Sequence, residues 1–297
     1  MLRRPTALSA HELVLKLADG RLLGYAEFGD PAGRPVFYFH GWPGSRLEGR
    51  IWHDAAAAQG VRLIALDRPG MGLSDDQPRR APGDWPADVA QAANLLEVER
   101  FAAIGYSGGG PYALACGWRL GGRVSRVALL SSIAEMGSAG STAGMSRENR
   151  LVFGLARRLP WALGLPLGAM ALTLRRFPGR AAKQLESGFS VADRPLLASG
   201  PLKAMLLASA REAFRHGTKG PAQDAAVLAR PWGFAPEQVE TEVLLWQGDS
   251  DTNVPPLMGH YLADHLPHCR ATFLPAAGHL WGQANAALVL EALLRPE

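Results

Sequence analysis

Cysteine is nearly absent: 297 residues carry only Cys116 and Cys269. Both lie in or beside apolar stretches and read as small buried hydrophobes, so a disulfide framework is excluded, and no Cys or His spacing suits a metal. No continuous apolar segment follows the two arginines of the opening MLRRPTALSAHELVLKL, so no secretory leader is read there and the expected location is cytoplasmic. Basic runs are missing too. The formal charge of +4 is modest, and nothing suggests a nucleic-acid surface. The G-x-G-x-x-G pattern of a dinucleotide site does not occur, nor does any internal repeat or low-complexity linker. What the chain does have is 47% hydrophobic content, enough to bury a sizeable core in one large α/β domain with an insertion or in two domains.

Taken in order, residues 11–17 alternate apolar and polar, Ala18-Asp19-Gly20 supplies a turn, and residues 21–28 resume a strand-like run. This predicts an antiparallel hairpin at a sheet edge. An aromatic strand, 36–39, ends in His40-Gly41-Trp42-Pro43-Gly44. A helix is predicted over 46–59 and a buried strand over 61–66, which ends in the turn-rich stretch Asp67 to Asp75. A further helix opens at Asp84 or Pro86 and runs to about 97, and strands follow at 101–106 and 124–130. Strands alternating with helices at this spacing predict a mainly parallel sheet with helices on both faces. The rhythm breaks over 135–236, where helical stretches are punctuated by Pro160, Pro166, Pro178, Pro195, Pro201 and Pro221 with no strand signal. It returns with a strand at 241–247, a helix at 255–266, a strand at 270–274 and a helix at 281–294. The expected organisation is a core of 1–134 and 237–297, with a helical cap of 135–236 inserted into it.

The chemistry centres on Phe101-Ala102-Ala103-Ile104-Gly105-Tyr106-Ser107-Gly108-Gly109-Gly110-Pro111-Tyr112. An apolar strand stops at Ser107, Pro111 opens a helix, and Gly105 and Gly109 flank the serine at the G-x-S-x-G spacing of a nucleophile elbow. The helix that follows aims its unsatisfied N–H groups at any charge developing beside Ser107. A serine hydroxyl needs a base to take its proton and an acid to orient that base. Downstream, Gly248-Asp249-Ser250-Asp251 and Ala276-Ala277-Gly278-His279 both leave the carboxyl ends of strands, where an open α/β sheet places its ligand. Ser107 is therefore read as nucleophile, His279 as general base and Asp251 as the orienting acid, with Asp249, two residues away, as an alternative. His53, His216, His260, His265 and His268 read as surface residues and His40 as structural, and Asp67 and Arg68 are expected to shape a turn.

The five motifs HGWPG (40–44), DRPGMGLSD (67–75), GYSGGG (105–110), GDSD (248–251) and AAGH (276–279) make nearly the whole chain resemble the α/β-hydrolase family. That resemblance implies an α/β-hydrolase fold: a mostly parallel eight-stranded sheet with helices on both faces and an inserted helical cap. It also implies an oxyanion hole built from the backbone N–H groups of Trp42 and Gly108, and a cis peptide at Trp42-Pro43. Glu135 is a further alternative acid that only this resemblance implies. The HGWPG loop is similar to that of haloalkane dehalogenases and epoxide hydrolases, but those enzymes need a carboxylate where this chain has Ser107. No cofactor or metal is required for acyl transfer through a serine.

Over 135–236, Lys and Arg outnumber Asp and Glu by 14 to 6, which argues against a cap built to hold a substrate ammonium. Within it, the uncharged LPWALGLPLGAMALTL (159–174) is too short and too broken to span a bilayer. It is read first as cap buried over an apolar acyl pocket, and second as a lid touching membrane or lipid. The expected function is a carboxylesterase-like serine hydrolase acting on a small, largely apolar acyl substrate, with perhydrolysis as a side activity. The alternatives are a proline iminopeptidase-like aminopeptidase, whose signatures HGWPG and GYSGGG only partly match, and a non-catalytic ligand-binding protein of the same fold. The expected partner is a small-molecule substrate, and the expected state is monomer or homodimer.

Overall fold

Short apolar runs bounded by turn residues fold as one sheet in the computed structural model, which describes residues 12–136, 142–198 and 200–295. His11, which opens the first expected strand, lies outside these residues, as does most of the N-terminal stretch read for a leader. The strands are β1 (Leu13–Lys16), β2 (Leu22–Gly29), β3 (Arg34–Phe39), β4 (Val61–Leu66), β5 (Phe101–Tyr106), β6 (Val124–Leu130), β7 (Val243–Gly248) and β8 (Cys269–Leu274). Their spatial order is β1-β2-β4-β3-β5-β6-β7-β8. The hairpin β1-β2 is antiparallel and joins β4 antiparallel, and every pairing from β4 to β8 is parallel. The sheet is thus eight-stranded and mostly parallel, as expected.

The helices are α1 (His53–Ala58), α2 (Trp85–Leu95), α3 (Gly110–Arg119), α4 (Arg147–Arg158), α5 (Gly164–Arg176), α6 (Pro178–Ser187), α7 (Arg194–Ala198), α8 (Gly200–Ala213), α9 (Lys219–Leu228), α10 (Pro256–His265), α11 (Trp281–Ala284) and α12 (Ala286–Leu293). Along β3, Phe37 and Phe39 enter one core while Val36 and Tyr38 enter the other. That period of two is what a strand covered on both faces requires. One core takes the apolar sides of α2, α3 and α10, and the other takes Trp52, Ala56 and the side chains of α12.

Two helices depart from their sequence expectations. Residues 46–52 wind as a 3₁₀ helix before α1, where the alanine-rich sequence predicts one continuous α-helix. Three residues per turn put Arg46, Gly49 and Trp52 on one face, and all three are buried. Gly49 is needed there, since a Cβ would stand 2.9 Å from both the Phe28 ring and Ala65. The last helix is broken at Asn285 into α11 and α12.

Between β6 and β7 the described residues form helices α4 to α9, with no strand; residues 137–141 and Ser199 of the expected cap lie outside them. Here proline opens helices instead of ending them, with Pro178 at the first position of α6 and Pro195 and Pro201 at the second positions of α7 and α8. A buried ionic cluster pins this segment to the sheet. Asp224 of α9 accepts from Arg68 at 3.0 and 2.8 Å, from Arg80 at 2.9 Å and from the Tyr112 hydroxyl at 2.7 Å. Burial alone would raise the Asp224 pKa, but the two guanidinium groups outweigh it and hold the carboxyl at about 2. Close by, Gly70 and Gly220 pack backbone to backbone, so that a Cβ on Gly70 would stand 2.9 Å from the Gly220 Cα.

Candidate active site

Ser107 follows β5 at φ +53°, in the left-handed region that a non-glycine residue rarely enters. Its two flanking glycines are demanded by contact. A Cβ on Gly105 would stand 2.7 Å from the Gly110 Cα, and one on Gly109 would collide with the Phe39 carbonyl oxygen. The strand and the helix therefore approach until only hydrogen fits between them, and the turn carries Ser107 out beyond the sheet's carboxyl edge. Residues 107–109 form a 3₁₀ turn leading directly into α3, whose N-terminus lies beside the serine.

His279 reaches the same edge from the loop after β8. Its Nδ1 lies 2.7 Å from Asp251 Oδ2, and both residues are buried. Asp251 is fixed in turn. Its Oδ1 accepts from the backbone N–H groups of Asn253 and Val254, each at 2.9 Å, and Gln247 Nε2 reaches its Oδ2 at 3.3 Å. Burial disfavours the imidazolium, but Asp251, with Asp193 and Glu48 further off, outweighs it and raises the His279 pKa above its ordinary value. Asp249 is turned to another task, accepting from the Ala276 N–H at 2.7 Å, where Ala276 itself has φ +56°. Glu135 lines a separate cavity with Arg157 and Tyr261. Of the three acids considered, Asp251 is the one hydrogen-bonded to His279.

One contributor from the helical insertion has no signal in the sequence. Asp193 is buried, and its carboxylate accepts from the N–H groups of His279 at 3.1 Å and Leu280 at 2.8 Å. A Cβ on Gly278 would collide with that carboxylate, so the Gly-His pair and Asp193 are shaped to each other across 86 residues of chain.

The HGWPG loop leaves β3 beside the elbow, with Trp42-Pro43 in the cis form that the resemblance implies. A Cβ on Gly108 would lie 3.1 Å from the Trp42 Cβ and 3.5 Å from its nitrogen, so the two backbone segments face each other across the serine. His40 is fully buried and its pKa falls well below the ordinary range, chiefly through burial and then the Arg68 charge. It is a neutral structural histidine, as expected. Arg68 does more than shape a turn. It donates to the carbonyls of His40 and Gly41 beneath this loop and extends to Asp224 above it. Trp42 also spans the junction, its indole N–H donating to the Pro221 carbonyl at 2.8 Å.

The Alpha/beta hydrolase family model matches residues 36–292, nearly the whole chain. The chain belongs to the α/β-hydrolase family. Among curated relatives, a non-heme chloroperoxidase from Streptomyces lividans is 34% identical over 121 residues, which is 39% of this chain and 43% of that protein. A proline iminopeptidase from Xanthomonas citri is 32% identical over 106 residues, 34% of this chain and 33% of that one. The chain thus spans less than half the length of the curated relatives it matches. Solved structures align over far more of it at lower identity. An esterase from Rhodococcus sp. ECU1013 superposes with TM-score 0.66 and 22% identity over 95% of this chain and 97% of that one. An α/β-hydrolase fold protein from Chitinophaga pinensis reaches TM-score 0.70 at 16% identity over 96% of each. These show the shared fold.

In this α/β hydrolase, Ser107 and His279 open onto one cavity of about 250 Å³. Its walls are mostly apolar, with Phe153, Met170, Leu174, Leu185 and Phe189 from the insertion. The His279 ring packs against those of Tyr106 and Phe189, at centroid distances of 5.1 and 5.9 Å. The segment 159–174 is two-sided. Leu163, Leu167, Ala171 and Leu174 are buried, while Trp161, Leu165 and Leu172 are exposed. Among the described residues, no helix is long and apolar enough to cross a membrane.

A second carboxyl group lines the cavity, and sequence reasoning passed over it because an isolated Glu on a helix reads as a solvated residue. Glu48 Oε1 accepts from the Tyr38 hydroxyl and from Gln283 Nε2, both at 2.9 Å, and Oε2 from the Gly41 N–H at 3.1 Å. Burial pushes its pKa from 4.5 up to about 7, against the opposing pull of these donors and of nearby cations. A carboxyl raised by folding favours the folded state below its ordinary value, and that contribution is lost as pH climbs through about 7. Between about pH 5 and 8, wild type is expected to lose roughly 3 kcal/mol of stability that Glu48→Gln does not lose. Urea unfolding of both proteins across that range measures it, and a difference that stays constant with pH would refute it.

Proposed function

We propose that this α/β hydrolase is a serine hydrolase that cleaves esters of largely apolar acyl groups through an acyl-serine intermediate, with 135–236 acting as a cap domain over a core of 1–134 and 237–297. The observation that carries the reading is the shared cavity. A serine on a left-handed elbow opens onto the same space as a histidine whose far nitrogen is bound to a buried carboxylate at 2.7 Å.

In the proposed reaction, Asp251 holds the proton on His279 Nδ1, leaving Nε2 free to act as base. Ser107 Oγ attacks the acyl carbon as His279 takes its proton, and the carbonyl oxygen gains the negative charge. The Trp42 and Gly108 N–H groups would receive that oxyanion, a contribution typically worth about two to three orders of magnitude in rate per donor. His279 then protonates the leaving alcohol, and a water activated by the same imidazole releases the acid. The apolar walls from the insertion favour an uncharged acyl chain and offer a substrate ammonium little beyond Glu48, whose bonds are already engaged.

Fluorophosphonate labelling followed by a series of p-nitrophenyl esters of increasing acyl length tests this, run beside an aminoacyl-arylamide. Stoichiometric labelling at Ser107 and kcat/KM peaking at medium chains are expected. Turnover confined to the arylamide would favour the peptidase reading, and no labelling at all would favour a ligand-binding protein.

A further inference from the structure

Among the described residues, eight of the thirteen exposed large apolar side chains fall between residues 151 and 191. Scattered single apolar residues on a surface are ordinary, but such a concentration is not. The core of the patch is regular. Trp161, Leu165 and Leu172 are 79%, 86% and 56% exposed; on α5 the spacing of Leu165, Ala169, Leu172 and Arg176 makes one outward stripe ending at the last residue of the helix, and Trp161 stands in the 3₁₀ turn that leads into it. Leu167, Ala171 and Leu174 hold the opposite, buried side of the same helix. One helix about 10 Å across therefore separates this stripe from the catalytic cavity.

Charge surrounds the stripe with one sign. Over residues 147–187, Lys and Arg outnumber Asp and Glu by 8 to 2, and one of those two, Glu186, is paired with Lys203. Arg157, Arg158, Arg176, Arg180 and Lys183 are all exposed, at the end of α4, the end of α5 and along α6. Large apolar side chains bordered by long cationic ones are what a surface needs to sit at the boundary of an anionic bilayer. The apolar tips enter the acyl region, while the guanidinium and ammonium groups remain level with the phosphates. Met170, on α5, is 39% exposed and lines the cavity wall, so the helix that carries the stripe also supplies part of that wall.

We propose that the outward face of α4 to α6, centred on Trp161, Leu165 and Leu172, docks this protein on an anionic lipid surface, with α5 lying between that surface and the cavity. Docking is peripheral and reversible and does not depend on turnover, so the face would bind lipid even if the acyl-serine reading were wrong.

Cosedimentation of the full chain with vesicles of phosphatidylcholine and phosphatidylglycerol, against pure phosphatidylcholine, tests the proposal. The anionic vesicles are expected to bind at least about tenfold more tightly, with tryptophan emission shifted to the blue and the advantage fading in high salt. Leu165→Ser/Leu172→Ser is expected to weaken binding about tenfold, and Trp161→Phe to remove the blue shift. Hydrolysis of a soluble short-chain ester should be unaffected in these variants. Arg158→Gln/Arg176→Gln, which leaves the apolar stripe intact, should abolish the preference for anionic vesicles, and Ser107→Ala should bind like wild type. Equal binding to both vesicle types, or wild-type binding by both double variants, would overturn the proposal. So would size-exclusion profiles in which Leu165→Ser/Leu172→Ser converts a dimer to a monomer, since a second copy would then own this face.

Discussion

Ser107→Ala is expected to lower kcat for an activated ester by about six orders of magnitude, the loss seen when a serine nucleophile is removed from a working triad. The fold should be untouched. Alanine fits the space of the serine side chain, and the φ of +53° at this position is imposed by the packing of Gly105 and Gly109 and not by the hydroxyl. Substrate binding should also persist, because the apolar walls that the insertion contributes to the cavity are untouched. Asp251→Asn is the companion test. It keeps the shape but lets the imidazole adopt the wrong tautomer, at a cost of about four orders of magnitude in kcat. Steady-state kinetics with circular dichroism on each variant decides the matter. Wild-type turnover by Ser107→Ala would remove the acyl-serine mechanism altogether.

The largest expected loss of stability lies away from the serine. Asp224→Ala leaves Arg68 and Arg80 buried beside each other without the carboxylate that both contact. Breaking a buried ionic cluster by removing one partner typically costs about 3–5 kcal/mol, because the remaining charge is uncompensated. For a chain of this size the melting temperature should fall by roughly 10 °C. Activity should fall as well, since Arg68 also donates to the His40 and Gly41 carbonyls under the HGWPG loop. Thermal unfolding followed by circular dichroism measures the first effect. A change of less than about 1 kcal/mol would mean that water enters the cluster and screens both guanidinium groups.

Glu48 and Asp193 show where sequence reading runs out. Each has an ordinary local pattern: Glu48 sits in the first turn of a helix, and Asp193 at the end of a short 3₁₀ turn of the insertion. A buried carboxyl group close to His279 is a property of distant chain segments meeting. The same holds for Arg68, whose neighbours in sequence predict a turn but whose guanidinium reaches a helix 156 residues later. The 3₁₀ winding of 46–52 is likewise set by the Phe28 and Ala65 side chains that Gly49 must accommodate, and helix propensity carries no record of them.

What the sequence determined by itself was the coarse local pattern: the alternation of strands and helices, the helical stretch between the sixth and seventh strands, the glycines around Ser107, and the Ser, Asp, His order. Those features follow from hydrophobic period and from backbone sterics, which act over a few residues and are written directly in residue type. Tertiary structure alone decided which acid meets His279, which insertion residue holds its backbone, and which side of α5 faces solvent. These depend on packing and on the balance of desolvation against charge pairing between segments tens to hundreds of residues apart, and only the folded chain brings them together.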